Sequence, residues 1–208
     1  MEKKVQTRKE REREFKKSEI LDAAIHIFAK KGFKATTLDE IAEKSEFGKG
    51  TIYNYFSNKE EIYREIIIYI SALHKKSMFE IENKTETFYE FIFEMIKSHM
   101  TFCIKNKDAY FLLVYTKIHH AKSTSSEISK LMDCNHNEIT EFFIDRIKKA
   151  IMNSEVTDMD PEKIIRIIRG ITFTYVYESL LANELKEEQI ETEAKFIVDI
   201  LFDGIKIK

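Results

Sequence analysis

Apolar residues recur at three- and four-residue spacing along most of this chain, and this spacing limits the folds it can adopt. One such series contains Ile20, Ala24, Ile27 and Phe28, and later segments repeat the pattern. The spacing places apolar side chains on one face of an α-helix, whereas a half-buried strand needs strict alternation. One proline and five glycines in 208 residues are too few for a sheet-rich protein with many tight turns. We therefore predict an all-α protein with about nine helices.

Residues 48–61, with the sequence GKGTIYNYFSNKEE, have the residue types of a DNA-reading helix followed by a new helix start. Ile52 and Phe56 are four residues apart and would hold a short helix, from about Lys49 to Phe56, on its domain. Ser57 with Glu60 fits a capping box that opens the next helix. The hydroxyl and ammonium groups here suit phosphate oxygens and base edges. A surface turn between two core helices is the structural alternative.

The predicted DNA contacts combine this stretch with a helix start upstream. Thr37 followed by Glu40 is a second capping box, and a helix N-terminus can bind an anion through its free N–H groups. Gly50 has no side chain and would allow a close approach of the backbone to DNA. The candidate DNA-binding residues are Thr36, Thr37, Lys49, Gly50, Thr51, Tyr53, Tyr55 and Lys59. In the structural alternatives, Thr37 only caps its helix and Lys59 is an ordinary surface lysine.

The run from residue 20 to residue 63 resembles the DNA-binding domain of the TetR family of bacterial transcriptional repressors. The shared positions are Ile20-Leu21-Asp22-Ala23-Ala24, Phe28, Gly32-Phe33, Thr36-Thr37-Leu38 and Ile41-Ala42. One departure is the turn before the recognition helix. The family usually has a sequence like Ala-Gly-Val-Ser there, and this chain has Ser45-Glu46-Phe47-Gly48.

The resemblance implies a fold of two domains. Residues 1–63 would form a three-helix helix-turn-helix domain with a basic N-terminal arm, and residues 64–208 a helical ligand-binding and dimerisation domain. Two heads would bind a near-palindromic double-stranded DNA operator, and the fourth helix would connect the ligand state to the head.

Charge is distributed unevenly along the chain. Residues 1–75 hold 16 Lys and Arg against 13 Asp and Glu, whereas residues 76–208 hold 18 against 23. A basic front fits a DNA-binding head. Residues 1–17 alone carry eight Lys and Arg against four acidic residues. This tail is either an arm that follows phosphates or enters the minor groove, or a solvated extension of a first helix expected from about Lys17 to Lys31.

The same periodicity predicts the later helices. The fourth helix should start at Asn58 or Lys59 and reach about Glu82. Further helices are expected over about residues 87–106, 108–118, 128–153, 161–183 and 187–206, with loops over 122–127 and 156–160. Pro161 suits a first helical turn.

An effector pocket is expected inside the C-terminal domain, because aromatic and polar residues lie on apolar helices there. The candidate lining residues are Phe102, Tyr110, Tyr115, His119, Arg169, Phe173 and Tyr177. They favour a small apolar or amphipathic effector, and core packing is the alternative for any one of them. Arg169 lies in an isoleucine-rich run, where an unpaired arginine is costly to bury. It could bind a ligand carboxylate or phosphate, pair with Glu178 or Asp145, or reach solvent.

His99 with Cys103, and Cys134 with His136, are spaced as pairs of nitrogen and sulfur ligands, but nothing in the sequence connects the pairs. We therefore predict no metal site and no cofactor. No catalytic triad-like set and no Gly-rich phosphate loop is recognisable, so we predict no catalytic residues and no enzyme. Two cysteines set no disulfide framework, and the apolar runs are too short to cross a membrane, which favours the cytoplasm and no membrane partner.

A homodimer is predicted because the helix over 161–183 is apolar on more than one face and the last helix carries a further apolar cluster. Pairing these faces across a two-fold axis would bury them. The candidate dimer-interface residues are Ile168, Tyr175, Phe196, Ile197, Ile200 and Leu201. Coverage within one chain is the alternative.

Together these features predict a TetR-like DNA-binding regulator, a repressor that a small ligand releases from a palindromic operator. The competing hypothesis is a DNA-binding regulator whose C-terminal domain is a protein-interaction module without a small-molecule ligand.

Overall fold

The computed structural model describes residues 7–81, 85–120 and 127–204, without the side chains of residues 119, 120, 127–129 and 131–136. Within these ranges the chain forms helices and no strand, so the all-α prediction is confirmed. The helices are α1 Arg8–Ala35, α2 Leu38–Lys44, α3 Lys49–Tyr55, α4 Lys59–Phe79, α5 Phe88–Lys105, α6 Lys107–His120, α7 Glu127–Met152, α8 Pro161–Leu181 and α9 Ile190–Asp203, the last preceded by a 3-10 turn, Glu187–Gln189. The predicted loop over 122–127 falls outside the described residues except for Glu127, where α7 begins. None of the helices in these ranges is long and apolar enough to cross a bilayer.

Two compact units make up the fold, and they do not follow chain order. The first contains Met1–Ile70 and Asp108–Thr124, and the second contains Ser71–Lys107 and Ser125–Lys208. The first unit therefore combines α1, α2, α3 and most of α4 with α6. The domain boundary at residue 63, between a DNA-binding domain and a ligand-binding domain, stays a prediction.

From Arg8 onward the N-terminal tail is part of α1, because a capping box starts the helix there, and residues 1–6 lie outside the described part of the chain. Thr7 Oγ1 accepts a hydrogen bond from the Glu10 N–H at 3.2 Å, and Glu10 Oε2 accepts one from the Thr7 N–H at 2.7 Å. The start predicted near Lys17 is therefore wrong, since the cap lies further upstream than the apolar stripe. Gly32, with φ 78, interrupts the helix near its end.

The first unit packs around the apolar stripes that the sequence shows. Ile20, Ile41, Ile52 and Ile62 are completely buried. The ring of Tyr63 meets two phenylalanine rings in this core, and its hydroxyl lies 2.6 Å from Thr116 Oγ1 on α6. A polar contact that is completely enclosed in this way fixes α4 against α6 within the unit.

The cap of α4 is Asn58 and not Ser57 as predicted. Asn58 Oδ1 accepts a hydrogen bond from the Glu61 N–H at 2.8 Å, and Glu61 Oε2 accepts one from the Ser57 N–H at 2.7 Å. The acidic partner is thus Glu61 and not Glu60, which moves the capping motif one residue along the chain.

The second unit is a helical bundle in which α5 packs against α9 and α7 against α8. Phe91 and Phe143 are buried in it, and their rings form a stacked and edge-on group with the half-buried rings of Phe79 and Phe142. The start of α8 is capped as expected, with Pro161 in the first turn and Asp160 accepting from the Glu162 N–H at 2.9 Å.

Candidate DNA-binding site

The N-terminus of α2 is held by the predicted capping box at Thr37. Thr37 Oγ1 accepts from the Glu40 N–H at 3.3 Å, and Glu40 Oε2 accepts from the Thr37 N–H at 3.0 Å. The pKa of Glu40 is lowered, first by the hydrogen bond from Lys31 and then by the backbone bond from Thr37. The Thr37 side chain is exposed. This helix start is therefore fixed in place and open to solvent.

The turn between α2 and α3 closes on a residue with unusual backbone geometry. Glu46 has φ 57, and the N–H of the next residue, Phe47, donates to the Ala42 carbonyl at 3.0 Å. Glu46 occupies the position of glycine in the usual family turn. That glycine was the signal in the sequence for a positive φ at this position. Gly48 is the N-cap of α3 and provides no side-chain cap.

The short helix α3 is anchored on one side and exposed on the other. Ile52 and Phe56 are buried in the first unit, as the sequence predicts. Tyr53 is 58% exposed, and Lys49 and Gly50 are also exposed. Lys49 Nζ lies 2.5 Å from Asp39 Oδ2 on α2, an ion pair at the surface.

Two further residues border this exposed face and were missed from the sequence. Asn54 is exposed and lies four residues after Gly50, on the same side of α3. Arg13 of α1 lies with its guanidinium carbon 5.9 Å from the centre of the half-buried Tyr55 ring. The position of Asn54 within the predicted recognition helix was the available signal, because an amide can pair with adenine.

The structure directs the side chains of Thr36 and Lys59 inward. Thr36 is 1% exposed, and its Oγ1 donates to the Gly32 carbonyl at 2.9 Å. Lys59 is half-buried, and its ammonium donates to main-chain carbonyl groups of residues 33, 34 and 36. The remaining predicted contacts, Thr37, Lys49, Gly50, Thr51, Tyr53 and Tyr55, lie on or beside α2 and α3 with at least partial exposure.

The predicted effector-lining residues fall in both compact units, and the His119 side chain lies outside the described residues. Tyr110 and Tyr115 belong to the first unit, where Tyr110 is buried and Tyr115 is exposed. The remaining four, Phe102, Arg169, Phe173 and Tyr177, belong to the second unit.

In the second unit, Phe173 and Tyr177 stack with ring centres 5.9 Å apart, one turn apart on α8. Arg169 donates to Thr140 Oγ1 at 3.0 Å, and burial lowers its pKa. The structure thus brings part of the predicted set together on α8, and a lining role for these residues stays a prediction.

A cluster of polar side chains lies inside the second unit around Phe102. His74 Nε2 lies 3.0 Å from His99 Nδ1, and Cys103 Sγ lies 3.7 Å from His99 Nε2. Burial lowers the pKa of His74 to about 4 and that of His99 to about 3, and it raises the pKa of the Cys103 thiol. Sequence reasoning missed His74, because His99 lies 25 residues away on another helix.

Within the described part of the chain, no group of three or more His, Cys, Asp or Glu residues has the arrangement of a metal site. The side chains of Cys134 and His136 lie outside it.

The predicted dimer residues divide into buried and exposed ones. Ile197 is 1% exposed and Ile168 is also buried, so both belong to the core of the second unit. Phe196 is 53% exposed, with its ring centre 6.1 Å from that of Tyr175, and Ile200 and Leu201 are half-buried. Ile167 and Ile171, one turn apart on α8, are exposed and were missed.

A capped helix, a tight turn and a short helix with an anchored side and an exposed polar side form a helix-turn-helix, the unit of a large class of DNA-binding proteins. Residues 20–66 match the family described as "Bacterial regulatory proteins, tetR family". This match confirms the resemblance expected from the sequence for the helix-turn-helix, and the curated relatives are transcriptional regulators, in agreement with the expectation that the chain is not an enzyme.

Relatives extend the similarity beyond the head. The chain is 26% identical over 163 residues, 78% of its length and 83% of the relative, to the HTH-type transcriptional regulator YhgD of Bacillus subtilis strain 168, which is uncharacterised. Its fold is similar to that of FadR from Bacillus subtilis in complex with stearoyl-CoA, with a TM-score of 0.73, 18% identity, and coverage of 91% and 99% of the two chains. It is also similar to AibR in complex with isovaleryl coenzyme A and operator DNA, with a TM-score of 0.71, 18% identity, and coverage of 90% and 98%.

Proposed function

We propose that this protein is a repressor that binds a palindromic operator as a homodimer in the cytoplasm and leaves it when a small amphipathic ligand binds. The exposed side of α3 carries the proposal. Ile52 and Phe56 hold the helix in place, while Lys49, Tyr53 and Asn54 face solvent with groups that suit DNA.

Two kinds of contact are assigned to the exposed residues. Thr37 at the start of α2, Lys49 and the Tyr53 hydroxyl are placed on phosphate oxygens, where they would fix the register of the head. Asn54 is placed on a base edge, because its amide can donate to and accept from adenine in the major groove. Thr51 and Tyr55 lie at the edges of this surface, and Gly50 permits close approach.

The operator follows from the symmetry of a dimer. Two copies of α3 related by a two-fold axis would read two half-sites about 34–36 Å apart, or a multiple of that distance. Occupation of such a site blocks other proteins from the same DNA, which is the basis of the proposed repression.

The ligand class is supported by the structural neighbours and by Arg169. FadR and AibR bind fatty or branched acyl-CoA molecules, which join an apolar chain to a phosphate-bearing carrier. The predicted lining combines aromatic rings with Arg169, a group that suits a phosphate or carboxylate. We therefore extend the amphipathic ligand of the sequence prediction to acyl-CoA thioesters. Release would follow if the ligand binds better to the state in which the heads no longer fit both half-sites.

The DNA part is tested by selection from a pool of random duplexes. We expect the wild-type protein to enrich a palindromic sequence. Asn54→Ala should bind the selected duplex about 1–3 kcal/mol more weakly and should lose its preference for the base at one position of each half-site. Asn137→Ala is the matched control, since this asparagine is exposed on α7 in the second unit. A pool without an enriched sequence would count against an operator-binding function.

The ligand part is tested by adding stearoyl-CoA, isovaleryl-CoA or free coenzyme A to the protein on its selected duplex. We expect an acyl-CoA to raise the melting temperature of the protein and to dissociate the complex, with free coenzyme A much less effective. Binding of the duplex that no acyl-CoA or hydrophobic carboxylate disturbs would favour the competing hypothesis of a protein-interaction module.

A further inference from the structure

Lys59, the first residue of α4, holds three main-chain carbonyl groups at the turn between α1 and α2. Its Nζ donates to the carbonyl oxygens of Phe33 at 3.0 Å, Lys34 at 3.2 Å and Thr36 at 3.1 Å. A lysine ammonium has three N–H donors, and this arrangement uses all of them. The last carbonyls of a helix lack partners within it and carry a partial negative charge, which a cation stabilises.

The turn that Lys59 binds is enclosed by two further contacts. The Phe33 ring centre lies 4.7 Å from Lys59 Nζ and 5.0 Å from the ring centre of Tyr63, which is one helical turn further along α4. The Thr36 hydroxyl donates back to the carbonyl of Gly32, where α1 is interrupted. One side of α4 therefore contacts residues 33, 34 and 36, and the Thr36 hydroxyl closes the segment back to Gly32.

This segment leads directly into the DNA-binding surface. The next residue, Thr37, is the N-cap of α2, and α2 leads through the Glu46 turn to α3. A shift of the turn therefore moves the start of α2, which is the helix end assigned to a phosphate.

We propose that Lys59 is a positioning residue for DNA binding, which fixes the α1–α2 turn and thereby the N-terminus of α2. The inference rests on the proposed function, since it concerns how the head is held in its DNA-binding form. It replaces the phosphate contact expected for Lys59 from the sequence, because a phosphate oxygen would have to displace one of the three carbonyls.

The test compares Lys59→Met, which keeps the side-chain length and removes the ammonium, with Lys49→Met on the exposed side of α3. Affinity for the duplex selected by the wild-type protein is measured over a series of salt concentrations. We expect Lys59→Met to bind roughly tenfold more weakly, a change of about 1.4 kcal/mol, with an unchanged salt slope. Lys49→Met should lower the slope by about one, because it loses a phosphate contact.

Hydrogen exchange of the DNA-free protein provides a readout that does not depend on binding. Amides of residues 33–41 should exchange faster in Lys59→Met and keep the wild-type rate in Lys49→Met. Lys59→Arg is the second variant, and it also serves if Lys59→Met fails to fold. It keeps the charge, but a planar guanidinium cannot direct three donors to the same three carbonyls, so exchange should again be faster.

Two results would overturn the proposal. A salt slope lowered by about one in Lys59→Met and restored in Lys59→Arg would show a phosphate contact. Faster exchange with wild-type DNA affinity would show that Lys59 stabilises the turn without positioning the DNA-binding surface. A wild-type protein that binds no duplex counts against the proposed function itself, and unchanged exchange in Lys59→Met would then overturn the role of the lysine independently.

Discussion

Glu46 shows how one backbone angle connects stability with DNA binding. Its φ of 57 lies in the left-handed region, which costs a residue with a side chain about 1–2 kcal/mol. Glycine adopts this region freely but loses more conformational entropy on folding, by about 0.5–1 kcal/mol. The glutamate also places a negative charge in the turn that precedes α3. The strain at this φ and the negative charge both favour glycine at this position, and they oppose its larger entropy loss.

We expect Glu46→Gly to stabilise the protein by roughly 0.5–1 kcal/mol in urea unfolding and to tighten DNA binding. Glu46→Gln is the matched control, because it removes the charge and keeps a side chain at the same φ. It should tighten DNA binding without the gain in stability. Equal stability of the wild-type and Glu46→Gly proteins would show that the strain at Glu46 is no larger than the conformational entropy that glycine loses on folding.

Single residues also show where sequence reasoning stops. The exposed residues of α3 could be predicted, because Ile52 and Phe56 define the buried side and the others follow from the helical period. The inward direction of Thr36 and Lys59 could not, because it depends on a hydrogen bond to Gly32 and on three carbonyls more than 20 residues away in the chain. Contacts between residues this far apart leave no pattern in the neighbouring sequence.

At the scale of elements, the half-buried histidine pair joins α4 to α5 inside the second unit. The pKa of His74 is lowered from 6.5 to about 4 and that of His99 to about 3, chiefly by burial. Both rings are therefore neutral in the folded protein, whereas in the unfolded chain they take up protons as the pH falls through about 6.5. The unfolded state gains those protons, so the stability present above pH 6.5 is lost as the pH falls towards 4.

We expect the free energy of unfolding of the wild-type protein to fall between pH 6.5 and pH 5 by on the order of 2 kcal/mol for each ring. The double variant His74→Phe and His99→Leu lacks these protons and should lose less stability over the same interval. The difference between the two proteins isolates the pair from the carboxylates, which both share. Parallel curves would show that the rings are hydrated or already charged in the folded state.

The spacing of apolar residues predicted that the helices exist, whereas their first residues had to be predicted from capping residues. The sequence predicts the capping box at Thr37, because the cap and its partner are close in the chain. It also predicts the start of α8 at Pro161. The start of α1 and the capping residue of α4 were misplaced, because each helix has competing cap candidates and only the packed helix shows which one is used, whereas the start of α4 at Lys59 was predicted correctly. Thr7 and Asn58 are the caps in the structure.

At the scale of the whole molecule, the exposed apolar residues of α8 and α9 support the proposed homodimer. Ile167 is 58% exposed, one turn from the exposed Ile171 on α8, and Phe196 on α9 is 53% exposed; large apolar side chains that are exposed together are expected to be covered by a partner. A two-fold axis would bury the same residues on both copies. Ile168 and Ile197 would then support this surface from the core of each copy.

We expect sedimentation at micromolar concentration to show a dimer for the wild-type protein and a monomer for Ile167→Asp combined with Phe196→Asp. Charges placed in an apolar interface lack partners and oppose association. Met152→Asp is the matched control, since this methionine is exposed at the end of α7 and should leave the dimer intact. A dimer that survives the double substitution would place the interface elsewhere, and a wild-type monomer would contradict the homodimer.

The Tyr63–Thr116 contact limits how this protein can exchange parts with its relatives. The unit that contains the helix-turn-helix also contains the segment from Asp108 onward, and Tyr63 and Thr116 are both buried in it. In a chimera that transplants residues 1–63 into another regulator, the Tyr63 hydroxyl would face the α6 of that regulator and would lose Thr116 as its partner. A functional transplant would need two crossovers, so that α6 travels with the head, and natural recombination at a single point would separate residues that fold together.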